Sequence, residues 1–176
     1  TRMATTCGER IVQMVWDDLK PRDILTRGAF MNAAAVQMAL GGSTNAAVHI
    51  IAMARRAGVD LTLDHLDAIG REVPVLANLF PSGDRLMEDF HYAGGLPALM
   101  SRIKPHLFLD QRNVNGKTLG ENLQGVQVLD DAVIRPLDKP VSANGALAVL
   151  RGNLAPEGAV MKASAASPKF FQHRGR

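Results

Sequence analysis

GGSTN (residues 41–45) lies between two apolar, alanine-rich stretches and decides how the centre of the chain folds. Residues 29–40 before it repeat apolar side chains at helical spacing, and residues 46–57 after it do the same. Glycine accepts the positive φ that ends many helices, and serine or threonine readily caps the next one. The pattern predicts two buried helices that meet at this turn, which we call the elbow (residues 41–45).

The elbow has the residue types that an anion site needs. The first N–H groups of a helix lack partners within the helix and carry partial positive charge, which suits a carboxylate or phosphate. Ser43 and Thr44 add hydroxyls, Asn45 adds an amide, and His49 follows about one turn later on the face of Asn45. A plain capped helix, with His49 as a hydrogen-bonded core residue, explains the same pattern. Both interpretations stay open from spacing alone.

The composition is that of a globular protein. The chain has 176 residues, of which 47% are hydrophobic and 21% charged, and its formal net charge is +3. This length supports one hydrophobic core, and no apolar run approaches the roughly 20 residues that a membrane span needs. No signal-peptide pattern opens the sequence, so we expect a cytoplasmic protein without a membrane partner.

Cysteine content and charge distribution disfavour two further classes. The single cysteine, Cys7, excludes an internal disulfide and an all-cysteine metal site built from this chain alone. Basic residues are dispersed among acids except at residues 173–176, and one Trp and one Tyr offer little surface for base stacking. We therefore expect no nucleic-acid partner.

Helical spacing continues outside the elbow and then gives way to extended segments. Further helices are predicted at residues 9–19, 62–69, 86–93 and 96–103. Short apolar runs predict a buried strand at 75–77 and strands or extended connections at 114–119, 126–129 and 133–134. A hairpin with a long loop, residues 152–158, is predicted between the apolar runs 146–150 and 159–161.

Five motifs are spread along the chain. They are GGSTNAAVHIIAMARRAGVDLTLD from Gly41, PSGDRLMEDFHYAGGLPALM from Pro81, VNGKTLGEN from Val114, VIRPLDKP from Val133 and GALAVLRGNLAPEGAVMKASA from Gly145. In this order they resemble the dihydroxy-acid and sugar-acid dehydratase family, which includes dihydroxy-acid dehydratase and phosphogluconate dehydratase. The resemblance covers essentially the whole chain, and HYAGGLPALM is most similar to the aldonate (pentonate) branch.

The resemblance implies an α/β fold of which this chain is an internal, α+β fragment. Residues 1–105 would be the helical C-terminal part of the α/β domain that bears the cluster. Residues 106–143 would form an extended connection. Residues 144–176 would supply the first strands of a C-terminal β-barrel-like domain.

The resemblance also implies a hydro-lyase that converts a 2,3-dihydroxy acid, such as an aldonate sugar acid, to a 2-keto-3-deoxy acid. Family members use an iron–sulfur cluster and a divalent metal, usually Mg²⁺, and are typically homo-oligomers. The family's cluster cysteines, metal ligands and base match no position here. We therefore expect no catalytic residue or metal ligand on this chain, and no activity from the chain in isolation.

The resemblance places the elbow in the active-site cleft. Ser43, Thr44 and Asn45 would bind the substrate carboxylate or a hydroxyl, with His49 as their partner. A different class of function remains open, namely a free-standing helical module that binds a small anionic metabolite or a partner protein without chemistry.

Other polar residues admit a functional and a structural interpretation. Lys162, Ser164 and Ser167 either approach the cleft from the barrel side or belong to a polar loop. The adjacent acids Glu88 and Asp89 suggest a metal site, but neighbouring helical positions point about 100° apart, which favours a solvated or capping role.

Overall fold

The computed structural model describes residues 2–175. These residues form eight α-helices, α1 (Arg2–Trp16), α2 (Pro21–Ile24), α3 (Arg27–Leu40), α4 (Thr44–Arg56), α5 (Leu63–Glu72), α6 (Met87–Tyr92), α7 (Gly95–Arg102) and α8 (Leu119–Asn122). Two strands, β1 (Leu147–Gly152) and β2 (Ala155–Lys162), and short 3₁₀ helices at Lys104–His106, Ala163–Ala165 and Pro168–Phe170 complete the order. The predicted α+β character is confirmed. None of the helices in residues 2–175 has the length and apolar character that crossing a membrane requires.

Helix α3 is the centre of the core. Its alanine-rich sequence lets α4, α5 and α7 pack closely against it, and Met38, Ala34 and Ala39 are fully buried. Its start is capped by Thr26, whose Oγ1 accepts a hydrogen bond from the N–H of Ala29 at 3.1 Å. Buried Asn32 is satisfied, since its amide donates to and accepts from the backbone of Phe108 at 2.9 and 2.7 Å. The helix predicted before the elbow is therefore confirmed as a core helix.

A buried extended segment, residues 73–79, passes the end of α3. The N–H groups of Leu76 and Ala77 both donate to the carbonyl of Ala39, at 2.9 and 3.1 Å. Antiparallel bridges join Val75 to Ser142 and Ala77 to Ile134. The segment predicted as a strand at 75–77 is thus buried as expected. It forms only isolated bridges with the segments around Ser142 and Ile134, so no continuous β-ladder forms there.

One predicted extended segment is wrong, and another is a connection rather than a strand. Residues 114–119 contain a turn, in which the N–H of Gly116 donates to Asn113 O at 2.9 Å, followed by the start of α8. Residues 126–129 form neither a strand nor a helix, so of the two predicted alternatives, strand or extended connection, the connection is present. A short apolar run carries no information about whether a partner strand lies beside it, and here none does. The predicted turn at Asn115-Gly116 is confirmed.

The C-terminal hairpin is confirmed with a shorter loop than predicted. Leu147 pairs with Lys162 and Gly152 with Ala155, so the connection is the dipeptide Asn153-Leu154 rather than residues 152–158. Pro156 falls inside β2, which a two-stranded sheet tolerates because each strand has one unpaired edge. β1 packs on α5 and β2 on α4.

The hairpin is joined to the helices by a close backbone contact. Gly145, just before β1, donates its N–H to Gly70 O of α5 at 2.7 Å. A Cβ on Gly145 would lie 3.0 Å from Gly70 Cα and 2.9 Å from Met38 Cβ. Only glycine at position 145 allows this approach, which places the end of β2 beside the elbow.

One predicted apolar helix face is exposed, and a second is only partly buried. α1 begins at Arg2, earlier than predicted, and only Met14 of this helix is buried. Val15 and Trp16 are 73% and 79% exposed. On α4, Ala47, Ile50 and Ala54 are buried, but Val48 and Met53 are exposed. Periodicity identified both apolar faces, but the other described residues cover little of the face on α1 and only part of the face on α4.

Candidate functional site

The elbow is a tight helix–helix junction. Gly41 ends α3 at a left-handed φ of 76°, and the N–H of Gly42 donates to Gln37 O at 2.9 Å. α4 then begins at Thr44, capped by Ser43, whose Oγ accepts from the N–H of Asn45 at 3.2 Å. The predicted glycine stop and hydroxyl cap are confirmed.

Two side chains donate hydrogen bonds to backbone carbonyls of the elbow, one from a residue before it in sequence and one from a residue after it. The Nε2 of Gln37, a residue only 5% exposed, donates to Ser43 O at 3.0 Å. The Nζ of Lys162, from the end of β2, donates to Gly41 O at 2.6 Å. A Cβ on Gly42 would lie 2.8 Å from Gln37 Cγ, so the junction has no space for a larger residue there. The elbow is therefore held rigidly between α3 and the hairpin.

An open cleft of about 430 Å³ lies between the elbow and the end of β2. It is lined by Ser43, Thr44, Val160, Met161, Lys162, Ala165 and Ala166. Lys162 is half-buried and belongs to none of the ion pairs among residues 2–175. In the described part of the chain, the N–H groups of Ser43 and Thr44 have no hydrogen-bond acceptor. The cleft thus combines a cation, free backbone donors and a threonine hydroxyl, without a lining carboxylate.

The structure brings together only part of the predicted site. Ser43 and Thr44 line the cleft, whereas Asn45 and His49 are exposed on α4 and do not. His49 is also not a core residue, so the structural interpretation from its apolar neighbours is wrong. Substrate binding by these four residues (43, 44, 45 and 49) stays a prediction, and the geometry supports it best for Thr44.

Lys162, Ser164 and Ser167, which were predicted to approach the cleft from the barrel side, occupy different positions relative to it. Lys162 lines the cleft, and Ser164 lies next to it, with its Oγ 2.8 Å from Ser82 Oγ. Ser167 does not line the cleft. Gln37 and Ser82 were missed by sequence reasoning, although an amide within the apolar stripe of α3 is a signal that could have identified Gln37.

The residues that the structure describes do not by themselves fit a metal centre. Residues 2–175 bring together no group of three potential His, Cys, Asp or Glu ligands. Cys7 is a single exposed thiol, whereas iron–sulfur clusters are usually held by several cysteines. Asp89 caps α6, its Oδ2 accepting from the N–H of Leu86 at 2.9 Å, which supports the capping interpretation over the metal one.

Two carboxyl groups have lowered pKa values, and neither lines the cleft. Hydrogen bonds from Gln13 and Arg10 lower the pKa of Asp17 and join it to α1. Hydrogen bonds from the backbone N–H and the hydroxyl of Thr118 lower the pKa of Glu121 at the start of α8. Both shifts arise from structural capping or pairing.

Comparison with known proteins identifies the family. The family model described as dihydroxy-acid/6-phosphogluconate dehydratase N-terminal matches residues 1–122, and the corresponding C-terminal model matches residues 132–176. The chain belongs to the dihydroxy-acid/6-phosphogluconate dehydratase family, as its motifs predicted. The gap between the two matches lies inside the connection predicted at 106–143, whose boundaries stay a prediction.

Named relatives include sugar-acid and dihydroxy-acid dehydratases. The chain is 54% identical to a 6-deoxy-6-sulfo-D-gluconate dehydratase of Pseudomonas putida over 99% of this chain and 31% of that protein. It is 50% identical to an L-arabinonate dehydratase of Rhizobium leguminosarum bv. trifolii, over 99% of this chain and 30% of that protein. It is 48% identical to a dihydroxy-acid dehydratase of Caldicellulosiruptor bescii, over 99% of this chain and 32% of that protein. The chain thus spans less than a third of the length of these relatives.

Proposed function

We propose that this chain is part of a hydro-lyase that dehydrates a 2,3-dihydroxy acid of the aldonate class to a 2-keto-3-deoxy acid. The observation that carries the proposal is the cleft at the elbow, which is lined by Lys162 and by residues 43 and 44, whose N–H groups have no acceptor among residues 2–175, and which has no lining carboxylate. A carboxylate is the group that such donors stabilise. The relatives whose names are dehydratases of acids supply the reaction class.

The proposed reaction removes the C2 proton and the C3 hydroxyl of the substrate. Water leaves, and the enol that remains takes up a proton at C3 to become the 2-keto acid. Because hydroxide is a poor leaving group, acid or metal assistance at C3 is required. We propose an iron–sulfur cluster and Mg²⁺ as the cofactors of the whole protein, held by residues outside this chain.

The role of this chain in that reaction is to hold the substrate carboxylate. The Thr44 hydroxyl and the N–H groups of Ser43 and Thr44 would donate to one end of the carboxylate, and the Lys162 ammonium would face the other. Asn45 and His49 share the exposed face of α4 and would contact substrate from outside the cleft. The isolated chain would bind an acid weakly and would not turn it over.

The proposal also covers the location, the oligomeric state and the partners of the enzyme. We propose a cytoplasmic homo-oligomer that acts on a small acid and has neither a nucleic-acid nor a membrane partner. The exposed apolar side chains of α1, Val15 and Trp16 among them, support burial against a second subunit. The alternative of a helical binding module without chemistry is not favoured, because the named relatives are dehydratases.

Kinetics of the full-length, cofactor-loaded enzyme test the proposal. Thr44→Ala should raise KM for a pentonate, and the double variant Asn45→Ala with His49→Ala should do so too. Thr6→Ala is the matched control, because Thr6 lies on exposed α1 with its hydroxyl bonded to Arg2 O at 3.2 Å. If both site variants have the same kinetic constants as wild type, the elbow does not bind the substrate. No turnover of any 2,3-dihydroxy acid would end the proposed function.

A further inference from the structure

A pair of serine hydroxyls lies near the cleft, since Ser164 is two residues from Lys162, which lines it. Ser82 belongs to the turn after the extended segment 73–79, and Ser164 to the 3₁₀ helix Ala163–Ala165 that follows β2. Their Oγ atoms are 2.8 Å apart although 82 residues separate them in sequence. A hydroxyl has one donor and two acceptor sites, so a pair that shares one hydrogen keeps one donor and several acceptors for a ligand.

These hydroxyls open into a small cavity of about 80 Å³. A third serine, Ser142, also lines it, with its own hydroxyl donating to Asn144 O at 2.9 Å. The remaining walls are Val75, Val141, Gly145, Ala146 and Ala163. The volume accommodates a few water molecules or the hydroxymethyl end of a polyol.

The cavity is within reach of a substrate held in the cleft. Lys162 lines the cleft and Ser164 lines the cavity, and two residues of chain separate their Cα atoms by at most about 7.6 Å. Gly41 touches both regions, since its carbonyl accepts from Lys162 and a Cβ built on it would lie 3.4 Å from Ser82 Oγ. An extended acid of five carbons spans roughly 5–6 Å at single-bond lengths of about 1.5 Å. A carboxylate at Lys162 would therefore leave the far end of such an acid within reach of the serines.

We propose that Ser82 and Ser164 form a subsite for the distal hydroxyls of a polyol acid, and so select sugar acids over branched-chain dihydroxy acids. This inference rests on the function proposed above. A distal hydroxyl of the substrate would form hydrogen bonds with the serine pair. An alkyl tail would cover the same hydroxyls without pairing them, and sites built for a hydroxyl strongly reject analogues that lack one.

The test compares two substrates in the full-length, cofactor-loaded enzyme, a pentonate and 2,3-dihydroxy-3-methylbutanoate. Ser82→Ala and Ser164→Ala should each lower kcat/KM for the pentonate by about tenfold or more. The same variants should leave kcat/KM for the branched-chain acid unchanged or raise it. Ser101→Ala is the control, because Ser101 is half-buried with its hydroxyl bonded to Ala98 O at 2.7 Å, and it should affect neither substrate.

The outcomes separate this inference from the proposed function. Equal losses on both substrates, or no loss on the pentonate, would overturn the serine subsite while leaving a working dehydratase. A wild-type enzyme that prefers the branched-chain acid would overturn it as well. A wild-type enzyme that dehydrates neither acid would overturn the proposed function and the subsite together. Circular dichroism and cofactor absorbance of each variant, compared with wild type, identify a loss that is due to misfolding. Ser82→Thr keeps a hydroxyl at this position and should therefore retain more pentonate turnover than Ser82→Ala.

Discussion

Replacing Lys162 by methionine in the full-length enzyme should weaken substrate binding strongly. Methionine keeps an unbranched, flexible side chain of similar length, so the packing against β2 changes little. The ammonium that is lost makes a 2.6 Å hydrogen bond to Gly41 O and is the only cation that lines the cleft among residues 2–175. The variant therefore removes both a support of the elbow and the charge that faces the carboxylate.

The magnitude follows from the value of a charge-assisted hydrogen bond. Hydrogen bonds to charged groups contribute about 1.5–3 kcal/mol, and each 1.4 kcal/mol changes an equilibrium constant about tenfold. Lys162 is half-buried, so solvent screens part of its attraction for the substrate and the direct Coulomb energy adds little to this range. We expect KM for a pentonate to rise about 10- to 100-fold in Lys162→Met.

Steady-state kinetics with two controls decide the matter. Lys139→Met, at an exposed lysine outside the cleft, should leave KM unchanged, and Lys162→Arg should restore part of the affinity. The neutral amide of the same sugar acid, used as a competitive inhibitor, separates charge recognition from support of the elbow. Its inhibition constant should change much less than KM does. A KM unchanged in Lys162→Met, or equal losses for the amide and the acid, would refute carboxylate recognition by Lys162.

Three further predictions concern stability, titration and assembly. Gly42→Ala should lower the melting temperature, because the new Cβ would lie 2.8 Å from Gln37 Cγ and such overpacking costs about 1–3 kcal/mol of folding stability. Gly8→Ala should raise the melting temperature, because a Cβ at this helical position meets nothing within 4 Å. If both glycines respond alike in thermal melts, the elbow is not tightly packed. In an NMR titration of the chain, the pKa of Glu121 should lie below its ordinary value, chiefly because of the backbone N–H of Thr118, and Thr118→Val should raise it partway. Since the folded pKa is depressed, this cap should stabilise α8 above the unfolded-state pKa and be lost as the pH falls through the folded one; a pKa indifferent to Thr118→Val would contradict this cause. Trp16→Glu should reduce the mass of the full-length assembly in sedimentation, because Trp16 is 79% exposed on the apolar face of α1, and an unchanged mass would exclude that face from the interface.

Local signals predicted the local features of the fold. The glycine stop at Gly41, the Ser43 cap and the Asn115-Gly116 turn each depend on a few neighbouring residues, and all three are present. The hairpin was predicted from its apolar strands, but the turn-like composition around Pro156 hid the fact that residues 155–158 belong to β2. Residues 126–129 are largely apolar, a property that does not distinguish a strand from a connection without a partner strand, and the structure has the connection.

The contacts that build the cleft could not be predicted from spacing. Lys162 and Gly41 are 121 residues apart, and Ser82 and Ser164 are 82 apart, so only the folded chain brings each pair together. Periodicity on α1 and α4 identified apolar faces, but it cannot say which part of a protein covers them. His49 illustrates the consequence, since its apolar neighbours suggested burial and it is exposed.

The most direct measurement is an NMR time course of the full-length, cofactor-loaded protein with a pentonate in D₂O. The reaction proposed here predicts loss of the C3 hydroxyl and a 2-keto-3-deoxy product that carries one deuterium at C3. Substrate that stays intact, or a product in which C3 keeps its hydroxyl, would contradict the assignment of this chain to a working sugar-acid dehydratase.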